Sequence, residues 1–343
     1  MTPPTLQVGR CVHSRSEIAS CRACIQACPL GAWKLSDESL ELDATRCDGC
    51  GLCVAACPTG AVTGLAHDPV RRLVAGRVAL LAACERVQAE TGEGRVPCLH
   101  GIGLTPLLQA WTLGRRIWLV ASADCDACPR GAAERLETRI ERLNGLFQAR
   151  GQALIHLRRL GGESLAALLD RCEPVANGSP ADRGKRNWLG LGGRTQQPAE
   201  TDAVPAPGAY FPGKGPLPWV VELDPVRCVA CHACERLCPT GVLSWEELEQ
   251  PARDEPDACY RLEHIRCTGC GLCSDVCEHA AIQPIAWTRP VRDAVLFHSG
   301  KCPGCGNRFY HAGVGDSAAY CWVCARSGSA QARSRTTRIV ADD

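Results

Sequence analysis

Lysine is nearly missing from this 343-residue chain. Lys34, Lys185, Lys214 and Lys301 are its only four, and arginine supplies the rest of 38 basic residues. The arginines are spread without a run, and the formal net charge is +1. Such a distribution gives no basic patch for nucleic acid, so a nucleic-acid-linked regulator ranks last among the readings. Aromatic residues make up only 5%, so cysteine-rich parts of the chain are expected to have small cores stapled by bound metal. No apolar stretch approaches the roughly 20 residues that cross a bilayer, which leaves direct membrane insertion out. The start, Met1-Thr2-Pro3-Pro4, has no basic segment followed by an apolar one, and a cytoplasmic location is expected. Nucleotide loops are missing too. Gly101-Ile102-Gly103 runs into Leu104-Thr105-Pro106, a poor dinucleotide loop, and neither a P-loop nor H-E-x-x-H occurs. His100, His156 and His279 are scattered and read as core or surface residues. No paired carboxylates have an evident task, so no catalytic residue is assigned.

What the chain does have is 26 cysteines, in patterns. Cys228, Cys231, Cys234 and Cys238-Pro239 form a C-x2-C-x2-C-x3-C-P run. Cys47, Cys50, Cys53 and Cys57-Pro58 repeat it. Cys267, Cys270, Cys273 and Cys277 repeat it again, with Glu278 in place of proline. An altered copy reads Cys21, Cys24 and Cys28-Pro29, with Cys11 upstream. A disulfide framework is the ordinary reading of many cysteines, but such frameworks are short and secreted. Three cysteines spaced by two residues can instead curl round one face of a cubane 4Fe–4S cluster, while the fourth points away. Gly49, Gly51, Gly269 and Gly271 fit this reading, because glycine admits positive φ and lets peptide N–H groups approach sulfur.

Paired runs of this kind resemble bacterial-type two-cluster ferredoxins, in two separate parts of the chain. In that family three cysteines of one run share a cluster with the fourth of the other. The resemblance implies four 4Fe–4S clusters. Cys228, Cys231, Cys234 and Cys277 would hold one, and Cys267, Cys270, Cys273 and Cys238 its neighbour. Cys47, Cys50, Cys53 and Cys28 would hold a third. The fourth would use Cys21, Cys24, Cys57 and a further ligand. Ile18 stands where that ligand is expected and cannot bind iron, so Cys11 is assigned across an expanded loop. The alternative is a three-iron cluster with Cys11 as a bystander.

Five parts follow: a two-cluster module over 1–66, an α/β domain over 67–172, a Pro/Gly-rich linker over 173–218, a second two-cluster module over 219–286, and a metal-binding module with a tail over 287–343. Hairpins are predicted at Ala32–Leu35 with Leu40–Leu42, and near Val242–Trp245 with Tyr260–Glu263. Cys259, outside the motifs, reads as a buried or free thiol. In the central domain, strands are predicted at Val78–Ala83, Arg95–Cys98, Ile117–Ser122 and Ala153–Leu157. Helices are predicted at Thr105–Leu113, Ala132–Gln148 and Ser164–Arg171. Alternation of this kind implies a mostly parallel sheet. Cys84, Cys98, Cys125 and Cys128 fall at or just beyond strand ends, where such sheets form their ligand crevice. Cys172 reads as a bystander. The layout loosely resembles the small iron–sulfur subunit of hydrogenases that feed heterodisulfide reductase, which implies a fifth cluster of the 2Fe–2S kind. A redox dithiol and purely structural cysteines are the alternatives.

Near the end, Cys302-Pro303-Gly304-Cys305 and Cys321-Trp322-Val323-Cys324 match a four-cysteine zinc ribbon, with rubredoxin-type iron as the other occupant. The fold class is therefore α+β multidomain. The expected function is a polyferredoxin that passes electrons between a redox enzyme subunit and another carrier. Formate dehydrogenase-, hydrogenase- or heterodisulfide reductase-like proteins are the partners that resemblance implies. The alternative is a redox enzyme whose central domain performs cluster or dithiol chemistry fed by the ferredoxin modules.

Overall fold

A computed structural model describes residues 3–36, 39–64, 74–75, 79–87, 95–132, 134–160, 205–249, 255–312 and 320–327. The helix expected at 164–171, Cys172, most of the linker and the far tail lie outside them. The chain divides into two compact units: residues 1–7 with 23–205, and residues 8–22 with 206–343. The fold is mixed α/β.

In the first unit, β1 (Thr5–Leu6) pairs with β4 (Val62–Thr63), and β2 (Trp33–Leu35) with β3 (Leu40–Leu42). Between them stand two short helices, α1 (Ala23–Ala27) and α2 (Leu52–Ala56). Cys24, Trp33, Cys53 and Val62 form the small core of this part.

The same unit continues into a sheet of β5 (Val74–Ala75), β6 (Ala79–Cys84), β7 (Arg95–Val96), β8 (Ile117–Ala121) and β9 (His156–Arg159). Strand β6 is parallel to β7 and β8, β8 is parallel to β9, and β5 is antiparallel to β6. Helices α3 (Leu104–Thr112) and α4 (Leu136–Ala149) accompany the sheet. Leu136, Ile140, Leu143 and Leu146 are buried along one face of α4, as the 3.6-residue period dictates. Several boundaries differ from the sequence reading, two of them for a visible reason. Helix α4 starts at Leu136, not Ala132, because the Leu136 N–H donates to His100 Nδ1 at 3.0 Å and fixes the first turn there. Strand β9 starts at His156, not Ala153. The Asn144 side chain clamps both backbone groups of Ile155 at 2.8 Å and keeps them from the ladder.

The second unit pairs β10 (Leu217–Leu223) with β13 (Ile282–Thr288). A second sheet runs in the order β11 (Leu243–Glu247), β12 (Ala258–Leu262), β14 (Ala294–Lys301), β15 (Arg308–His311), all antiparallel. Helices α5 (Ala233–Leu237), α6 (Leu272–Asp275) and α7 (Trp322–Arg326) complete it. Tyr260 and Phe297 are fully buried in its core, each contributing about 1.5–3 kcal/mol by removal from water. Val12 and Ala19 join that core, and the Ser20 N–H and hydroxyl donate to the Asp275 carboxylate at 2.8 and 2.7 Å. Residues 8–22 thus pack with the later part of the chain.

Candidate metal centres

The four cysteine runs share one backbone device. Three residues past each fourth cysteine, Gly31, Gly60, Gly241 and Ala280 take φ between 47° and 64°. That left-handed kink turns the following N–H back to sulfur. Ala32 donates to Cys28 Sγ at 3.3 Å, Val242 to Cys238 Sγ at 3.4 Å, and Ala281 to Cys277 Sγ at 3.3 Å. Thr59 and Thr240 hydroxyls lie 3.7 Å from the sulfurs of Cys57 and Cys238. Donors to sulfur stabilise a thiolate and are among the levers that set a cluster's reduction potential.

In the second unit, Cys228 and Cys234 lie near Cys231 and Cys277. Cys267, Cys270 and Cys273 lie near Cys238. Cys273 also lies near Cys234, and Cys270 near Cys21, so the sulfurs of the two runs share one neighbourhood. In the first unit, Cys53 lies near both Cys28 and Cys47, Cys24 shares its small core, and Cys28 and Cys57 pack against that core. Of the quartet read from Cys11, Cys21, Cys24 and Cys57, the first two belong to the second unit and the last two to the first. Burial pushes the thiols of Cys53 and Cys228 up to about 11, and those of Cys50, Cys234 and Cys267 up to about 12. Such thiols stay protonated near neutrality unless a bound cation compensates the charge, so loading expels protons. Among the described residues no disulfide forms.

Residues 40–63 match the 4Fe-4S binding domain family, and residues 227–282 match the 4Fe-4S dicluster domain family. The chain carries two iron–sulfur binding domains. No curated protein matches the chain. The four-thiolate donor sets just described suit such clusters, and among the described residues no helix is long and apolar enough to cross a membrane.

Beside Cys231 and Cys234 of this iron–sulfur chain lies a polar network that the motif alone does not announce. His232, with φ of 64°, takes the place that glycine holds in the other intact runs. Its Nδ1 lies 3.0 Å from the Tyr260 hydroxyl and 3.1 Å from Glu235 Oε2, and Glu235 Oε1 accepts the Trp245 N–H at 2.7 Å. The only sequence signal was a histidine standing where glycine recurs.

The central cysteines converge. Cys84, Cys98, Cys125 and Cys128 all line one pocket of about 420 Å³, together with Arg86, His100, Ser122 and Arg130. Three segments deliver them: the end of β6, the turn after β7, and the loop after β8. Arg130 is buried at 4% exposure. It donates to Asp48 Oδ2 at 2.6 Å, to Glu85 Oε1 at 2.6 Å and to the Pro97 carbonyl at 2.5 Å. Burial opposes the ionisation of Asp48, but the hydrogen bond from Arg130 prevails and holds its carboxyl below the usual range.

At the C-terminus, Cys302, Cys305, Cys321 and Cys324 bring their sulfurs within 4.8 Å of one another, the one such group among the described residues. The Cys305–Cys321 sulfur separation is 3.7 Å. Four sulfurs at 2.3 Å from one tetrahedral ion sit about 3.8 Å apart. Three of the four are buried. Burial opposes a thiolate at Cys302, yet the N–H groups of Cys321, Cys305 and Gly304 outweigh it and draw its thiol below the ordinary range.

Proposed function

We propose that this chain is a polyferredoxin-like electron-transfer subunit with four 4Fe–4S clusters, a fifth iron–sulfur centre in the central pocket, and zinc in the C-terminal site. The observation that carries this reading is the match of residues 227–282 to the 4Fe-4S dicluster domain family, beside that of residues 40–63 to the 4Fe-4S binding domain family. When bound, such clusters supply one-electron transfer over a wide range of potentials. The residues do the rest: thiolates hold the iron, sulfur-directed N–H groups tune it, and the apolar core excludes water. The quartet of Cys11, Cys21, Cys24 and Cys57 completes the set by resemblance. The partners proposed are a formate dehydrogenase-, hydrogenase- or heterodisulfide reductase-like subunit on one side and a second carrier on the other.

Anaerobic iron and sulfide analysis of the reconstituted full chain tests the reading. About 16 iron atoms from the ferredoxin parts are expected, at four per cubane. Saturation near eight would remove two of the clusters. Substrate turnover by the purified chain alone, abolished by Cys125→Ala without loss of iron, would favour dithiol chemistry in the central domain instead.

A further inference from the structure

Arg130 is a buried cation outside the cysteine sets, and its three partners have something in common. Asp48 sits between Cys47 and Cys50 in the ferredoxin loop. Glu85 follows Cys84, and Pro97 precedes Cys98. One guanidinium thus ties a loop of the 4Fe-4S binding domain to two loops of the central pocket, with all three contacts between 2.5 and 2.6 Å. The approach is close elsewhere along the same seam. Cys50, Leu52 and Cys98 share one small buried cluster. Gly101 lies so near the ferredoxin loop that an added Cβ would stand 3.0 Å from the Cys50 carbonyl oxygen. Arg130 also lines the central pocket itself.

We propose that Arg130 is a positioning residue that locks the cluster site of Cys28, Cys47, Cys50 and Cys53 beside the central four-cysteine site as one directly coupled redox pair, and that its charge eases reduction of both. The proposal rests on the reading that both sites hold iron–sulfur centres. Within the pair one electron passes: one centre is oxidised by one electron and the other reduced by one, with no bond made or broken. The electron comes from the upstream redox partner named above. Reduction adds negative charge to each site, and a fixed cation between them lowers that cost. Arginine suits the place because its planar fork serves three acceptors at once while staying charged.

The test is a potentiometric titration of the loaded full chain, followed by EPR, in parallel with iron analysis. Arg130→Met should lower the reduced-to-oxidised ratio of both centres about tenfold at fixed ambient potential, which is 59 mV for a one-electron couple. Arg130→Lys should recover most of that shift. A merely structural role would alter iron content or melting temperature and leave the midpoints of the loaded fraction unmoved. Should Arg130→Met fail to load, Glu85→Gln supplies the second reading. It removes an anion next to Cys84, and the central centre should then become about threefold easier to reduce. Full iron with midpoints within twofold of the parent in Arg130→Met, or in Glu85→Gln where the first cannot be loaded, overturns the inference. Failure of the underlying reading looks different: iron content unaffected by Cys84→Ala and by Cys125→Ala would remove the central centre itself.

Discussion

The C-terminal and central sites have four thiols each and differ in almost everything else. Cys302, Cys305, Cys321 and Cys324 come from one short turn and the start of α7 and close to within 4.8 Å of one another. Cys84, Cys98, Cys125 and Cys128 come from three strand ends and face an open pocket of about 420 Å³. The first spacing matches one tetrahedral ion with no position left over, the arrangement of a structural site. The second set is spread along a pocket wall that a buried arginine also lines. The difference teaches that the separation of the segments that deliver four thiols decides whether the sulfurs close on one point or line a pocket.

The comparison can be broken most forcefully at the closed site. Cys302→Ser should abolish tight zinc binding, since structural zinc contributes on the order of 10–16 kcal/mol in comparable four-ligand sites. Zinc analysis after gel filtration checks this, and rubredoxin-like absorbance lost in the same variant would assign iron instead. Next in size is Phe297→Ala. This fully buried ring should cost about 3–5 kcal/mol in chemical unfolding, whereas Leu296→Ala beside it, 51% exposed, should stay within about 0.5 kcal/mol. Equal losses would mean that β14 is not held as described. Cys125→Ala should remove about two iron atoms, as a binuclear centre implies, and leave zinc untouched. Loss of zinc alone would reverse the roles given to the two sites. The smallest change is expected from Cys11→Ala: about one iron atom lost, with a three-iron signal near g = 2 in the oxidised EPR spectrum. An unchanged spectrum at full iron would show that another group supplies that ligand.

Local patterns were legible and distant pairings were not. The cysteine runs could be read because each ligand trio lies within seven residues and its geometry follows from spacing. The hairpin at Trp33–Leu42 and the parallel strands β6 and β8 were visible for the same reason, as apolar runs between turn residues. The pairing of Leu217–Leu223 with Ile282–Thr288 was not, because nothing in either segment names the other. Residues 8–22 were assigned to the first module by proximity in sequence, yet Val12 and Ala19 are buried with Val221 and Phe297. Arg130 was one arginine among many, and only the fold shows that it sits between three cysteine-bearing loops. His100, read as a scattered histidine, proved to be the acceptor that starts a helix.

Strand β14 serves two masters. Its first half, Ala294–Phe297, pairs with β12 of the dicluster domain, and its second half, His298–Lys301, pairs with β15 of the four-cysteine module. Eight residues of one extended segment therefore splice the dicluster domain to the four-cysteine module, so that disorder beginning at the four cysteines has a direct path along one strand into the dicluster domain.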